Sequence, residues 1–360
     1  MKDYTSKQRV LTAFDHREPD RVPINYSANY GIDCRLKARF GLGVDDNEGL
    51  ARQLGVDFRG VEARYTGAKL HADIPERGVF CDDWGIHRRW IEHSTGGYMD
   101  FCDFPLAEAG IETIRNWPMP SPDDYDYSSV REQCERHKEF CIVLGHAGLP
   151  DIINGTSMLR SMEQVLIDLA LDDEACACLI DRRVERLYEV IRRTIEAAEG
   201  AIDILHIGED LGTQIAPLVS LDLFRKHIRP RHQPFIDLAK RHGARVIVHT
   251  CGSSSWAYPD FIEMGIDGVE TLQPEAVKMD PAYLKETFGS ELTLHGCIST
   301  AGPVATGTAA ETAEYCREKL RILMPGGGYC FAPTHMLQDN SPTENVIAMY
   351  EAAHKFGRYA

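Results

Sequence analysis

The stretch IDILHIGEDLGTQIAPLVSLDLFRKHIRPRHQPFIDLAKRHGARVIVHT, residues 202–250, decides how the fold is read. It opens on an apolar, β-branched run at 202–207 and ends on another at 246–250. Between them lies enough chain to cross back over a sheet, so the pair reads as two parallel strands joined by a helix. The rhythm repeats on both sides. Further short apolar runs at 22–26, 56–61, 142–146, 268–272, 292–297 and 329–333 complete a set of eight, and from 142 onward each precedes a helical pattern. Strands alternating with crossing helices form either a parallel barrel or a doubly wound sheet, and eight of them favour a (β/α)8 TIM barrel.

The helices carry their own signals. Ile180, Val184, Leu187, Ile191, Ile195 and Ala198 step by threes and fours, which paints an apolar stripe on one long helix. Asp280 before Pro281 supplies a cap followed by proline in the first turn. Thr308 with Glu311 and Ser341 with Glu344 fit the capping box, and Gly357 is a suitable left-handed terminator for the last helix. The rhythm lapses over residues 62–141. There 79–93 and 96–104 read as a hairpin turning at Ser94-Thr95-Gly96-Gly97, followed by a proline-rich stretch at 117–126. This is an excursion inserted after the second strand of one domain covering 1–360, placed where a barrel can build walls around a site.

A net charge of −16 argues against nucleic acid or an anionic membrane surface as a partner. No run approaches the length of a membrane span, and the first residues lack a signal-type apolar stretch. Eleven cysteines, an odd number without a framework, suit a reduced, cytoplasmic chain.

In a barrel of this type chemistry sits at the C-terminal ends of the strands. Polar residues collect there: Asn25, Tyr26 and Asn29; His146; His206, Glu209 and Asp210; His249 and Cys251; Glu270 and Gln273; His295 and Cys297; Cys330 and His335. A lone histidine at one strand end is more often a core or rim residue. The coincidence over the six ends from His146 onward is the stronger observation. Within it, His249-Thr250-Cys251-Gly252 puts an imidazole and a thiol on the same side of a strand, a nitrogen–sulfur pair that suits zinc. A third ligand has to come from another strand, with Cys297, Cys330, His335 and Glu270 all open on geometry. Gly326-Gly327-Gly328 runs into a strand and not a helix, so it reads as a turn and not a phosphate loop.

Taken in order, Arg9 with His16-Arg17-Glu18-Pro19-Asp20-Arg21-Val22-Pro23, Glu209-Asp210-Leu211-Gly212, His249-Thr250-Cys251-Gly252, Gly326-Gly327-Gly328-Tyr329 and Pro342-Thr343-Glu344-Asn345-Val346 resemble the uroporphyrinogen decarboxylase superfamily. The resemblance runs over nearly the whole chain and implies a (β/α)8 barrel. The decarboxylases carry an arginine-rich segment after the first strand. Here that stretch is Ser27-Ala28-Asn29-Tyr30-Gly31-Ile32-Asp33, without arginine. The resemblance therefore points to the zinc-dependent methyltransferase branch, which exchanges methyl groups with a separate corrinoid protein. It implies Zn2+ at His249, Cys251 and His335, the last standing where that branch has a cysteine. In this reading Glu209 or Asp210 orients the substrate or gives a proton, and Asn25, Tyr26, His146, His206, Gln273 and His295 contact a small methyl donor or acceptor. The alternative is a decarboxylase-like carbon–carbon lyase acting on a carboxylated substrate.

Overall fold

Seven strands form one parallel sheet in the order in which the chain visits them: Phe58–Val61, Cys141–Pro150, Ile204–Gly208, Arg245–His249, Gly268–Glu270, Thr293–Ile298 and Tyr329–Pro333. The computed structural model describes residues 4–93 and 96–360. The curled sheet is closed by the stretch 22–26, where Ile24 bridges Phe331 in parallel. The Phe331 N–H donates to the Pro23 carbonyl at 2.8 Å, and on the other side the Asp57 N–H donates to the Ile24 carbonyl at 2.9 Å. The result is the expected (β/α)8 TIM barrel.

The first expected strand is thus a bridge and not a continuous ladder. Pro23 has no N–H to give, and the Ile24 N–H is captured by the Asp57 side chain at 2.9 Å. Asp57 is fully buried and also binds Arg9 Nη1 at 2.7 Å and Arg21 Nη1 at 2.7 Å, while Arg9 Nε reaches Asp20 at 2.7 Å. The arginine- and aspartate-rich opening of the chain is therefore a fastening at the N-terminal end of the barrel, far from the strand ends where a site would sit.

The long stripe forms the helix Glu174–Ala197, with Ile180, Ile191 and Ile195 buried against the barrel. Asp280 caps Pro281–Phe288 by accepting from the Ala282 and Tyr283 amides, and the Thr308–Glu311 capping box is closed on both sides. The second capping box does not form. The helix Thr343–Phe356 has Pro342 at its cap position with no side-chain cap bond, and Arg35 Nη2 binds the Asp339 and Ser341 carbonyls just before it. Gly357 is not left-handed either, with φ −86°. It is glycine for closeness: a Cβ there would lie 2.3 Å from the Ala353 carbonyl oxygen.

The excursion contains a three-stranded antiparallel sheet, Val79–Cys81, His87–His93 and Gly96–Phe101. The single long strand expected over 79–93 is split because Asp82 Oδ1 accepts from both the Trp84 and Ile86 amides, a local turn. Ser94 and Thr95 of the expected tip lie outside the described residues. A small apolar cluster of Ile86, Leu106, Ile114 and Met119 seats the excursion on Leu159 and Leu179. Among the described residues no helix is long and apolar enough to cross a membrane.

Candidate active site at the barrel mouth

Two loops meet at the mouth through glycines. A Cβ on Gly252, at φ +70°, would fall 2.3 Å from the Gly212 carbonyl oxygen, and one on Gly212 would fall 2.4 Å from the Ser253 nitrogen. No side chain fits, so the Glu209-Asp210-Leu211-Gly212 and His249-Thr250-Cys251-Gly252 segments touch backbone to backbone. The Ser253 N–H closes the contact on the Thr213 carbonyl at 2.8 Å. That approach places Asp210 beneath the second loop, where Oδ1 accepts from the Cys251 amide at 2.7 Å and Oδ2 from Asn154 Nδ2 at 2.8 Å.

Above this clamp the ligand atoms of His249, Cys251 and His335 all lie within 4.8 Å of one another. Cys251 Sγ is 3.3 Å from His249 Nε2. The other nitrogen, Nδ1, lies 2.7 Å from Glu270 Oε1 and 2.7 Å from Thr271 Oγ1. With the carboxylate accepting from Nδ1–H, loss of the Nε2 proton to a bound metal would leave that lone pair aimed at Cys251 and His335, the tautomer a metal requires. Burial alone would push His249 down, but hydrogen bonds to Cys251 and Glu270 outweigh it and hold the imidazole well above its ordinary value. Burial would push Glu270 up, and His206 and His249 instead draw it well below the carboxylate range. Glu270 is a hub: His206 Nε2 stands 3.0 Å and His295 Nδ1 3.4 Å from its oxygens, and His206, His249 and Glu270 make a second group of converging donors.

A cavity of ≈ 360 Å³ opens beside these donors. Asn25, Tyr26, His146, His206 and His295 line it, together with Glu270, Thr271 and Met336. Asn25 Nδ2 lies 3.1 Å from His295 Nε2, and the Tyr26 hydroxyl is committed to Asp33. Gln273 stands away from the cavity, with Oε1 accepting the Gly252 N–H at 2.5 Å, so it supports the loop that carries Cys251. Among the described residues no arginine or lysine lines the cavity. Thr271 and Met336 escaped sequence reasoning because neither belongs to a motif. A φ of +63° at Thr271 turns its hydroxyl onto His249, and nothing in the residue order signals that.

Glu209 is displaced from its expected place. It is 1% exposed, and its carboxylate accepts from the Ile152 and Ile153 amides at 2.8 and 2.9 Å and meets His232 Nε2 at 2.9 Å. Neighbouring residues leaving a strand point opposite ways, so Asp210 faces the mouth and Glu209 caps the helix Ile152–Arg160 behind it. Cys297 and Cys330 are fully buried and belong to neither group of converging donors. Asn29 stays at the rim, where Nδ2 donates to Gln338 at 3.1 Å.

A parallel barrel with its polar cavity and nitrogen–sulfur donors at the C-terminal strand ends has the layout of a barrel enzyme. The uroporphyrinogen decarboxylase (URO-D) family matches residues 114–356 of the 360, and the chain belongs to this family. No curated protein sequence matches it. Among solved structures it is similar to a methyltransferase from Methanosarcina mazei, with 19% identity, a TM-score of 0.64, and coverage of 98% of this chain and 99% of that one. That likeness is one of fold.

Proposed function

We propose that the chain is a zinc-dependent methyltransferase, moving a methyl group between a small methylated compound, for example a methoxylated donor, and the cobalt of a separate corrinoid protein. The observation that carries this reading is the convergence of His249, Cys251 and His335 within 4.8 Å at the rim of the cavity. Two imidazoles and a thiol are a donor set for zinc that leaves a fourth position open. Zinc held there supplies a Lewis acid for the leaving heteroatom.

The chain's own residues do the positioning. Glu270 and Thr271 hold the His249 ring, and Asp210 holds the Cys251 loop through its amide. Asn25, Tyr26, His146, His206 and His295 form the walls that orient the methyl compound. The partner's reduced corrinoid would supply the electron pair that accepts the methyl group, and the leaving heteroatom would keep its bonding pair and take a proton from water. Exposed Tyr30, at the start of the helix Tyr30–Phe40, and exposed Ile215, Val277 and Met336 on loops suit an apolar docking rim for that partner. The cavity's lack of arginine and lysine counts against a carboxylate-rich tetrapyrrole, and so against the lyase reading.

The test is spectroscopic and anaerobic. The protein, a reduced corrinoid protein from the same source and a panel of methoxylated and methylamine-like compounds are mixed, and conversion of cobalt(I) to methylcobalt(III) is followed. Conversion with one donor class, lost in His249→Ala, is the expected result. A zinc-loaded protein silent with every donor and every corrinoid partner, or one that decarboxylates uroporphyrinogen, overturns the assignment.

A further inference from the structure

A second, larger chamber of ≈ 610 Å³ lies outside the barrel wall, between the strands Phe58–Val61 and Cys141–Pro150 and the helix Glu174–Ala197. Its size is that of a small-molecule site, for which roughly 300–1,000 Å³ is usual. It exists because the chain makes its excursion here. The helix that leads into Cys141–Pro150 is only the seven-residue Val130–Arg136, and the strand Cys141–Pro150 shifts register between Gly145 and Pro150. Among the described residues His146 is the one residue that lines both this chamber and the cavity at the mouth.

The walls differ in kind. Leu187, Val190 and Ile191 make one side apolar, and Trp84 and Tyr125 from the excursion add aromatic rings. Arg64, Arg136 and His137 face the same space. Among the described residues Arg64 is paired only with exposed Glu62 at 3.6 Å, and Arg136 only with exposed Glu132 at 2.9 Å. Exposed pairs of this kind contribute little and exchange readily for a better acceptor. The His137 Nδ1 is enclosed and has no hydrogen-bond partner among the described residues, and a buried group of this kind favours a bound acceptor or donor. Arg136 and His137 continue into an adjoining cleft of ≈ 480 Å³ where Arg52 and Arg59 stand. In a chain of net charge −16 this concentration of guanidinium groups is local and opposite in sign to the whole.

We infer that this side chamber binds an organic anion with an apolar body, an aromatic carboxylate being the class that uses both its walls. The guanidinium groups of Arg64 and Arg136 receive the carboxylate, and the ring lies among Trp84, Tyr125 and the leucine–valine side of the long helix. The inference does not depend on the methyl-transfer reading, because neither zinc nor a corrinoid takes part.

Calorimetric titration of the intact, metal-loaded protein with benzoate, benzamide and inorganic phosphate tests it. Benzoate should bind saturably, with benzamide at least tenfold weaker and phosphate without measurable binding. The Arg64→Gln, Arg136→Gln variant, altered only at exposed positions, should lose benzoate affinity by at least tenfold and melt where the parent does. Val190→Trp, which fills the chamber, should abolish binding while zinc content stays unchanged. Equal binding of benzamide, equal binding of phosphate, unaltered affinity in both variants, or no benzoate binding at millimolar concentration each overturns the proposal. None of those results bears on zinc content or cobalt methylation, so the two readings fail separately.

Discussion

His249 and Glu270 are direct partners across neighbouring parallel strands, and their side chains meet at 2.7 Å, Nδ1 to Oε1. The strand register itself therefore sets which nitrogen of the imidazole looks toward Cys251. Glu270→Gln keeps the shape and removes the charge. Metal affinity should fall about 10- to 100-fold, as it does when a carboxylate behind a ligating histidine is changed. Competition with a chromophoric chelator measures this, and an unaltered affinity would mean that the carboxylate does not act through His249.

Elemental analysis of the purified protein should find about one zinc per chain, since three ligands with one open position define a single site. The His249→Ala, Cys251→Ala double variant should lose the metal and keep its far-ultraviolet dichroism, because barrel mouths tolerate change better than barrel interiors. Full zinc occupancy in that variant would dismiss the site.

The proposed third ligand is separable from its neighbours. His335→Ala should weaken zinc binding strongly, whereas Cys330→Ala, at a fully buried position outside the donor group, should leave metal content unchanged. Loss of zinc in Cys330→Ala alone would transfer the role to that thiol.

Asp57 binds two arginines and the Ile24 amide while fully buried. Asp57→Ala strips these partners, and removal of one side of such a buried pair costs about 3–5 kcal/mol. A large drop in melting temperature is expected, with zinc stoichiometry retained in the protein that remains folded. A melting temperature within a degree or two of the parent would show that the fastening is dispensable.

Acid should loosen the fold through its paired carboxylates. Burial would raise Asp20 and Asp260, but Arg9 in the first case and Arg225 with Arg229 in the second hold them below the ordinary value of 3.8. A depressed carboxylate stabilises the fold at pH values above its unfolded pKa, and the contribution fades as pH falls through the folded pKa. The melting temperature should hold steady above about pH 5 and decline below pH 4, less steeply in Asp260→Asn. An identical acid profile for that variant would remove Asp260 from the account.

What the residue order reveals about this molecule depends on whether a neighbour in space intervenes. The run at 329–333 is the strand Tyr329–Pro333 to the residue, because its β-forming side chains are buried on both faces and nothing competes for its backbone. The run at 22–26 fails as a ladder because a side chain from residue 57 takes the Ile24 amide, which periodicity cannot report. At the site, His249 and Cys251 are legible from spacing alone, and His335 through resemblance to a family. Glu209 was indistinguishable from Asp210 beside it. Only the arrival of the helix Ile152–Arg160 on its oxygens separates a cap from a mouth residue. Ser341 likewise had the right spacing, but the helix begins one residue later, at Thr343 with Pro342 as its cap.

The Gly212–Gly252 contact divides the proposed metal site into a fixed half and an exchangeable half. His249, Cys251 and the Asp210 beneath them are carried by two loops welded at one point, so they can shift only together. His335 arrives on a separate loop with no part in that weld. Donor hardness at this one position can therefore be retuned, histidine for cysteine or the reverse, without redrawing the rest of the mouth. Under the proposed reading, a single substitution there would change the class of leaving atom the site favours, while the geometry that aims the other two donors stays as it is.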